Sequence, residues 1–168
     1  MIGGQVLGIV GCPILEDELV HAVRSDTGIS RLIVVRSEDS DNLVRKLLAL
    51  KVHPPLEVIE ADEVPSVTAD GFAILVMMKP MALHEDPEKL RSEVLATAGL
   101  MAPVCRSILL FYGLCGNAFR DVSSISAAVG RPVTLISDDQ ERPVDDCIAA
   151  VLGGTDGYLR LLKRYPGV

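Results

Sequence analysis

Phe72-Ala73-Ile74-Leu75-Val76-Met77-Met78 decides how this chain is read: seven apolar residues in an unbroken run, followed at once by Lys79 and Pro80. A strand with one face in water alternates apolar and polar residues; a continuous apolar run of this length marks a strand buried on both faces. Working outward, Gln5–Val10, Arg31–Val35, Leu56–Ile59, Ser107–Tyr112 and Pro132–Ile136 share the β-branched or continuously apolar character. Helical patterns lie between them. Leu15–Arg24 places Leu15, Leu19, Ala22 and Val23 on one face, and Asp41–Lys51 does the same with Leu43, Leu47 and Leu50 before Pro54 and Pro55 stop it. Asp86–Met101 opens with Pro87 in its first turn and an acidic cluster that suits a helix N-terminus. Ala118–Val129 ends at Gly130, Val144–Leu152 at Gly153 and Gly154, and a last helix, Tyr158–Arg164, stops at Pro166. The stretch Glu60–Gly71, acidic and mixed, reads as a loop or a crossover excursion.

Strand–helix alternation implies βαβ crossovers. The expectation is one three-layer α/β domain over residues 1–168, with a mostly parallel sheet of five or six strands flanked by helices. The chain has 168 residues and 18.0 kDa, 49% apolar and 23% charged, with mean hydropathy +0.35, as a well-packed globular protein requires. Its net charge of −7 and pI near 4.9 argue against nucleic acid and against an anionic membrane surface. Aromatic residues are 4% and Trp is absent, so base-stacking platforms are not expected. Met1 to Leu15 lack the basic residues of a signal peptide, and no uncharged apolar run reaches the length of a spanning helix. Cys12, Cys105, Cys115 and Cys147 are too few for a disulfide scaffold. Reduced thiols in a cytoplasmic protein are the reading.

In open α/β sheets, ligands bind beyond the carboxyl ends of the strands, near the point where strand order reverses. After the first strand come Gly11-Cys12-Pro13, and after the FAILVMM strand Lys79 to His84. After SILLFY come Gly113-Leu114-Cys115-Gly116-Asn117, and after PVTLI Ser137-Asp138-Asp139 and then Asp145-Asp146-Cys147. Cys12, Cys115, Cys147 and His84 therefore fall at one edge. A cysteine near a helix N-terminus is favoured as thiolate, and three thiolates with an imidazole suit Zn²⁺ or an Fe–S cluster. Glycines around Cys115 let the backbone turn tightly and aim N–H groups at sulfur or an anion.

Plainer roles compete. Buried cysteines often only fill a core, and Cys105, at the opposite end of its strand, is read that way. His21 and His53 are read as surface residues, and His84 has a helix-entry role as its alternative. Asp138-Asp139 with Asp145-Asp146 could take a hard cation, although helix capping by Asp145 or Asp146 is favoured. The glycine-rich Gly153–Gly157 reads as a helix–helix connection; neither a P-loop nor a G-x-G-x-x-G follows a strand, and no G-x-S-x-G elbow is present.

The chain resembles the DUF1638 proteins of methanogenic archaea and anaerobic bacteria. The resemblance rests on Cys12 with Glu18-Leu19; Leu83-His84-x-x-Pro87-x-x-Leu90; Tyr112-Gly113-x-Cys115-Gly116-Asn117; and Asp146-Cys147 followed by Leu152-Gly153 and Tyr158. It implies that Cys12, His84, Cys115 and Cys147 form the functional group. Gly113, Gly116, Asn117 and Asp146, close to these cysteines in sequence, are the candidate cofactor-binding residues. The resemblance implies no particular reaction; an accessory role to corrinoid-dependent one-carbon (methyl) metabolism is its associational content.

Three functions stay open. The first is a metal or Fe–S protein with Cys12, Cys115 and Cys147 as ligands and His84 as a fourth ligand or an acid–base group beside the metal. The second is a metal-free enzyme with Cys115 as nucleophile and His84 as base. The third is a non-catalytic binding module for a corrinoid or a protein partner; the D-x-H-x-x-G corrinoid signature is absent. Beside these three functions stands a purely structural reading, in which the cysteines only fill the core. Apolar Ala149–Leu152 and Tyr158–Leu162 could pack internally or against a second copy, and base rates favour a homodimer.

Overall fold

The computed structural model describes residues 5–115, 117–138, 140–144, 147 and 151. Six strands form one sheet: β1 (Gln5–Gly11), β2 (Ile29–Val35), β3 (Leu56–Ile59), β4 (Phe72–Met78), β5 (Ser107–Phe111) and β6 (Val133–Leu135). Their order across the sheet is β3-β2-β4-β1-β5-β6, and every pairing is parallel. Among the described residues, four α-helices are complete enough to bound: α1 (Glu16–Ser25), α2 (Asp41–Ala49), α3 (Pro87–Met101) and α4 (Val122–Val129). This is the α/β architecture that the alternating pattern predicts.

Period-two alternation divides the apolar runs between two cores. Val6 and Val10 of β1, Ala73 and Leu75 of β4, and Ile108 and Leu110 of β5 pack with Leu90, Val94, Ala98 and Met101 of α3 and Ile125 of α4. Ile9, Ile74, Val76, Leu32 and Val34 face the other way, against Leu19, Val20 and Val23 of α1 and Leu43 and Leu47 of α2. Runs such as FAILVMM are unbroken because both faces are covered. Fit is tight where α3 ends: a Cβ on Gly8 would lie 2.9 Å from Cys105 Sγ and 3.0 Å from Met101 Cε.

Local chemistry sets most boundaries. Asp86 caps α3 by accepting a hydrogen bond from the Lys89 N–H at 3.1 Å, with Pro87 at the first helical position. Gly130, at φ 68°, ends α4 in the left-handed conformation. The expected helix over Ala118–Val129 begins only at Val122: residues 117–121 form turns, and the Asp121 carboxylate caps the helix through Ser124 N–H. The loop or crossover excursion over Glu60–Gly71 contains a 3-10 helix, Ala61–Ser66, whose Val64 is buried in the α3-side core. Strand β5 stops at Phe111, one residue short of expectation. Most of the helix expected over Val144–Leu152, and all of Tyr158–Arg164, lie outside the described residues; Cys147 and Val151 are helical.

The chain runs from β1 through β2 to the β3 edge, then returns through β4 and β5 to β6. Right-handed crossovers lay the outgoing helices α1 and α2 on one face and the returning helices α3 and α4 on the other. Strand β4 sits between β2 and β1, so the segments leaving β1 and β4 depart to opposite faces. That boundary is the reversal point at which an open α/β sheet binds ligands.

Candidate functional site

Cys12 follows β1 directly and caps a 3-10 turn, Pro13–Leu15, that leads into α1. Its carbonyl accepts from the Leu15 N–H at 3.0 Å, which fixes the turn. Cys115 reaches the site differently. It belongs to no helix N-terminus; it lies in a turn seven residues before α4, with φ at 44°, and Asn117 follows at φ 71°. Neither conformation is common for residues with a side chain. Arg91 of α3 holds this turn, donating to the Ala118 carbonyl at 3.1 Å and the Asp121 carbonyl at 3.3 Å.

Cys147 is brought in by the segment beyond β6. Asp138 accepts from the N–H groups of Gln140 and Arg142, each at 2.9 Å, and pairs with the Arg142 guanidinium at 2.8 Å. The pinned loop turns the chain back through a bridge between Ser137 and Pro143. The Leu114 N–H then donates to the Val144 carbonyl at 2.8 Å, docking this segment on the one that carries Cys115. Asp138 thus organises the loop, with its carboxylate engaged by backbone and Arg142. Asp139, Asp145, Asp146 and Gly116 lie outside the described residues.

The three cysteines meet. Cys115 Sγ and Cys147 Sγ are 3.7 Å apart, and Cys12 also shares a hydrogen bond with Cys147, which occupies the centre. The Gly113 N–H donates to Cys147 Sγ at 3.4 Å. All three side chains are buried, and the four cysteines of the chain form no disulfide. Hydrogen bonds from Cys115 and then Cys12 hold the Cys147 thiol well below its ordinary range, with smaller help from the Gly113 N–H and the charge of His84. Cys12 moves the opposite way: its proton is held in the bond to Cys147, and burial and the Asp39 carboxylate oppose its loss. The sulfurs therefore form a hydrogen-bonded chain with Cys147 at its centre. Among the described residues, no group of three or more His, Cys, Asp or Glu side chains stands ready-made around a metal ion.

His84 is exposed, in a 3-10 helix (Met81–Glu85), with Nδ1 engaged by the Met81 carbonyl. It lies near enough to act electrostatically on Cys147, as the weakest of the influences on that thiol named above. Gly113 is buried and supplies its N–H; Asn117 is exposed and contributes through its backbone turn. Cys105 lies at the other end of the sheet, 1% exposed against Gly8 and Met101, where burial pushes its thiol up to about 12. His21 and His53 are exposed.

Two site residues escape the strand-end reading of the sequence. Tyr112 is buried beneath the thiols; its hydroxyl donates to the Gly11 carbonyl at 3.2 Å and its ring meets Phe119 at 5.3 Å, tilted by 56°. Burial, and then the nearby thiols, push its hydroxyl pKa upward. Asp39, half-buried just past β2, is close enough to act on both Cys12 and Tyr112. Applying the strand-end rule to RLIVV would have found Asp39, and the Tyr-Gly-x-Cys element already contained Tyr112.

Fold and site together define a parallel α/β protein with a three-thiol cluster at the C-terminal edge of its sheet. The chain belongs to the family described as protein of unknown function DUF1638, whose profile matches residues 78–168. That stretch contains His84, Cys115 and Cys147, whereas Cys12 and Glu18-Leu19 lie outside it. The chain is also similar to AP-5 complex subunit beta-1 of Homo sapiens, 27% identical over 150 residues. That match covers 84% of this chain and 17% of the human protein. No solved structure matches. Among the described residues, no helix is long and apolar enough to cross a membrane.

Proposed function

We propose that this chain is a thiolate metal protein, with Cys12, Cys115 and Cys147 as ligands for Zn²⁺ or for an Fe–S cluster. His84 would serve as a fourth ligand or as an acid–base group beside the metal. One observation carries the reading: three cysteines, from segments beyond β1, β5 and β6, meet at the sheet edge where parallel α/β proteins bind ligands. Tetrahedral zinc with bonds of about 2.3 Å separates its sulfur ligands by about 3.8 Å. The Cys115–Cys147 separation of 3.7 Å is already close to that. A metal would take the place of the thiol protons that now join the sulfurs. Zinc would supply structural cross-linking or a Lewis acid; a cluster would supply electron transfer.

Family association extends the proposal to an accessory role in corrinoid-dependent one-carbon (methyl) metabolism, with a small molecule or a methyltransferase system as partner. A homodimer in a reducing cytoplasm belongs to the same reading. The test is metal and acid-labile sulfide per chain, on protein expressed with zinc and iron supplied and purified anaerobically without chelators. About one zinc, or iron with matching sulfide, is expected. It should be lost in Cys115→Ser and Cys147→Ser and kept in Cys105→Ser. Absence of both metals, or full retention in the two site variants, overturns the proposal.

A further inference from the structure

Cys115 and Cys147 have a second chemistry that needs no metal. Their sulfurs stand 3.7 Å apart in one hydrogen bond. A disulfide requires about 2.05 Å, so bonding needs an approach of roughly 1.7 Å. The backbones are docked for it, since Leu114 N–H is bonded to the Val144 carbonyl at 2.8 Å. Cys115 sits in a turn and Cys147 beyond a surface loop, so neither sulfur is carried by a strand. Cys12, by contrast, follows a sheet-paired residue and is locked by its own 3-10 turn. Cys105 is remote, against Gly8.

We propose that Cys115 and Cys147 are a redox-active pair that a small hydroperoxide converts reversibly to a disulfide. One sulfur attacks the peroxide: an S–O bond forms, the O–O bond breaks, and water (or an alcohol) leaves. The second sulfur then attacks the resulting sulfenic acid; the S–S bond forms, the S–O bond breaks, and the hydroxyl leaves as water with the proton of the second thiol. The pair is oxidised by two electrons and the peroxide is reduced by two. Burial selects the oxidant's size. With Cys115 9% exposed and Cys147 5%, a hydroperoxide enters where a bulky disulfide cannot approach. The activity is independent of metal binding, although oxidation would remove two of the three proposed metal donors.

The test uses the full chain, reduced and desalted, with chelator present so that no metal shields the thiols. Stoichiometric hydrogen peroxide is added, remaining thiols are alkylated, and the protein is mapped by peptide mass spectrometry. Two of the four thiols should disappear, in one cross-linked pair containing Cys115 and Cys147. Dithiothreitol should restore both. Cys12→Ser should keep the cross-link and Cys115→Ser should lose it. A cross-link through Cys12 or Cys105, an oxygenated single cysteine without any cross-link, or four surviving thiols overturns the proposal. Because no metal takes part, this result and the metal-content result can fail separately.

Discussion

Tyr112 offers a sharp test of what holds the floor of the thiol cluster. Its hydroxyl donates to the Gly11 carbonyl at 3.2 Å, but that oxygen also accepts the Lys79 N–H at 2.9 Å. Tyr112→Phe therefore strands no acceptor. The loss is that of one modest hydrogen bond, about 0.5–1.5 kcal/mol, and at the low end because the carbonyl keeps a donor. Tyr112→Ala removes a ring that is 2% exposed and in contact with Phe119, and large-to-small changes of that kind cost about 3–5 kcal/mol. For a chain of this size, each kcal/mol shifts Tm by about 2–4 °C. Thermal unfolding should thus show a drop of about 1–4 °C for the Phe variant and on the order of 10 °C for the Ala variant. The ring carries the difference. If Tyr112→Phe were as costly as Tyr112→Ala, the hydroxyl would be the principal support and the reasoning would fail; a nearly silent Tyr112→Ala would refute the packing itself.

Three further perturbations separate site from scaffold. Gly8→Ala pushes a methyl against Cys105 Sγ, and should destabilise by about 1–3 kcal/mol; Cys105→Ala should relieve part of it, so a urea-unfolding double-mutant cycle should show coupling well above about 0.5 kcal/mol, and additive costs would refute the clash. Arg91→Met removes the donors to the Ala118 and Asp121 carbonyls, and should cost about 1–3 kcal/mol while speeding Cys115 alkylation in native protein; an unchanged rate would mean the turn holds itself. Arg31 forks onto Glu57 through two 2.7 Å bonds, which lower the Glu57 pKa, so the pair's contribution is present above the carboxylate's unfolded value and is lost as pH falls through its folded value. Glu57→Gln should therefore cost no more than about 1 kcal/mol at pH 7, given how exposed the pair is, with the deficit closing in acid; a deficit that grew on acidification would contradict this sign.

The strands were legible because burial on both faces leaves a one-dimensional trace: FAILVMM has no polar residue to hide its boundaries, and β3 and β4 are found where the sequence places them. Strand order was not legible, since nothing in the apolar runs reports that β4 inserts between β2 and β1. The start of α4 was misjudged because Ala118 and Phe119 are apolar for a different reason, packing under a turn rather than along a helix. Cys12, Cys115 and Cys147 were found by their positions after strands, a rule that needs only the direction of a parallel sheet. Their pairing through Cys147 required the loop pinned by Asp138, whose place in an aspartate-rich stretch does not by itself report a loop-pinning role.

Sheet register sharpens the case for Cys115. Gly11 of β1 pairs with Phe111 of β5, so Cys12 lies level with Tyr112, three residues before Cys115. Continued as a strand, the chain would carry Cys115 roughly 10 Å beyond Cys12. Left-handed conformations at Cys115 and Asn117 fold it back, and this brings its sulfur to Cys147. A side chain in that conformation costs about 1 kcal/mol relative to glycine, and two glycines, Gly113 and Gly116, stand close by in the same loop. Glycine at 115 would be the less strained choice for the backbone alone. Cys115 instead stands where its conformation is unfavourable and its sulfur meets another thiol, the combination expected where strain serves function. In Cys115→Gly the relieved backbone strain should offset part of the cost of losing a buried side chain, so the protein should still fold while metal uptake is abolished; folded protein with undiminished metal would show that the strained residue is not a ligand.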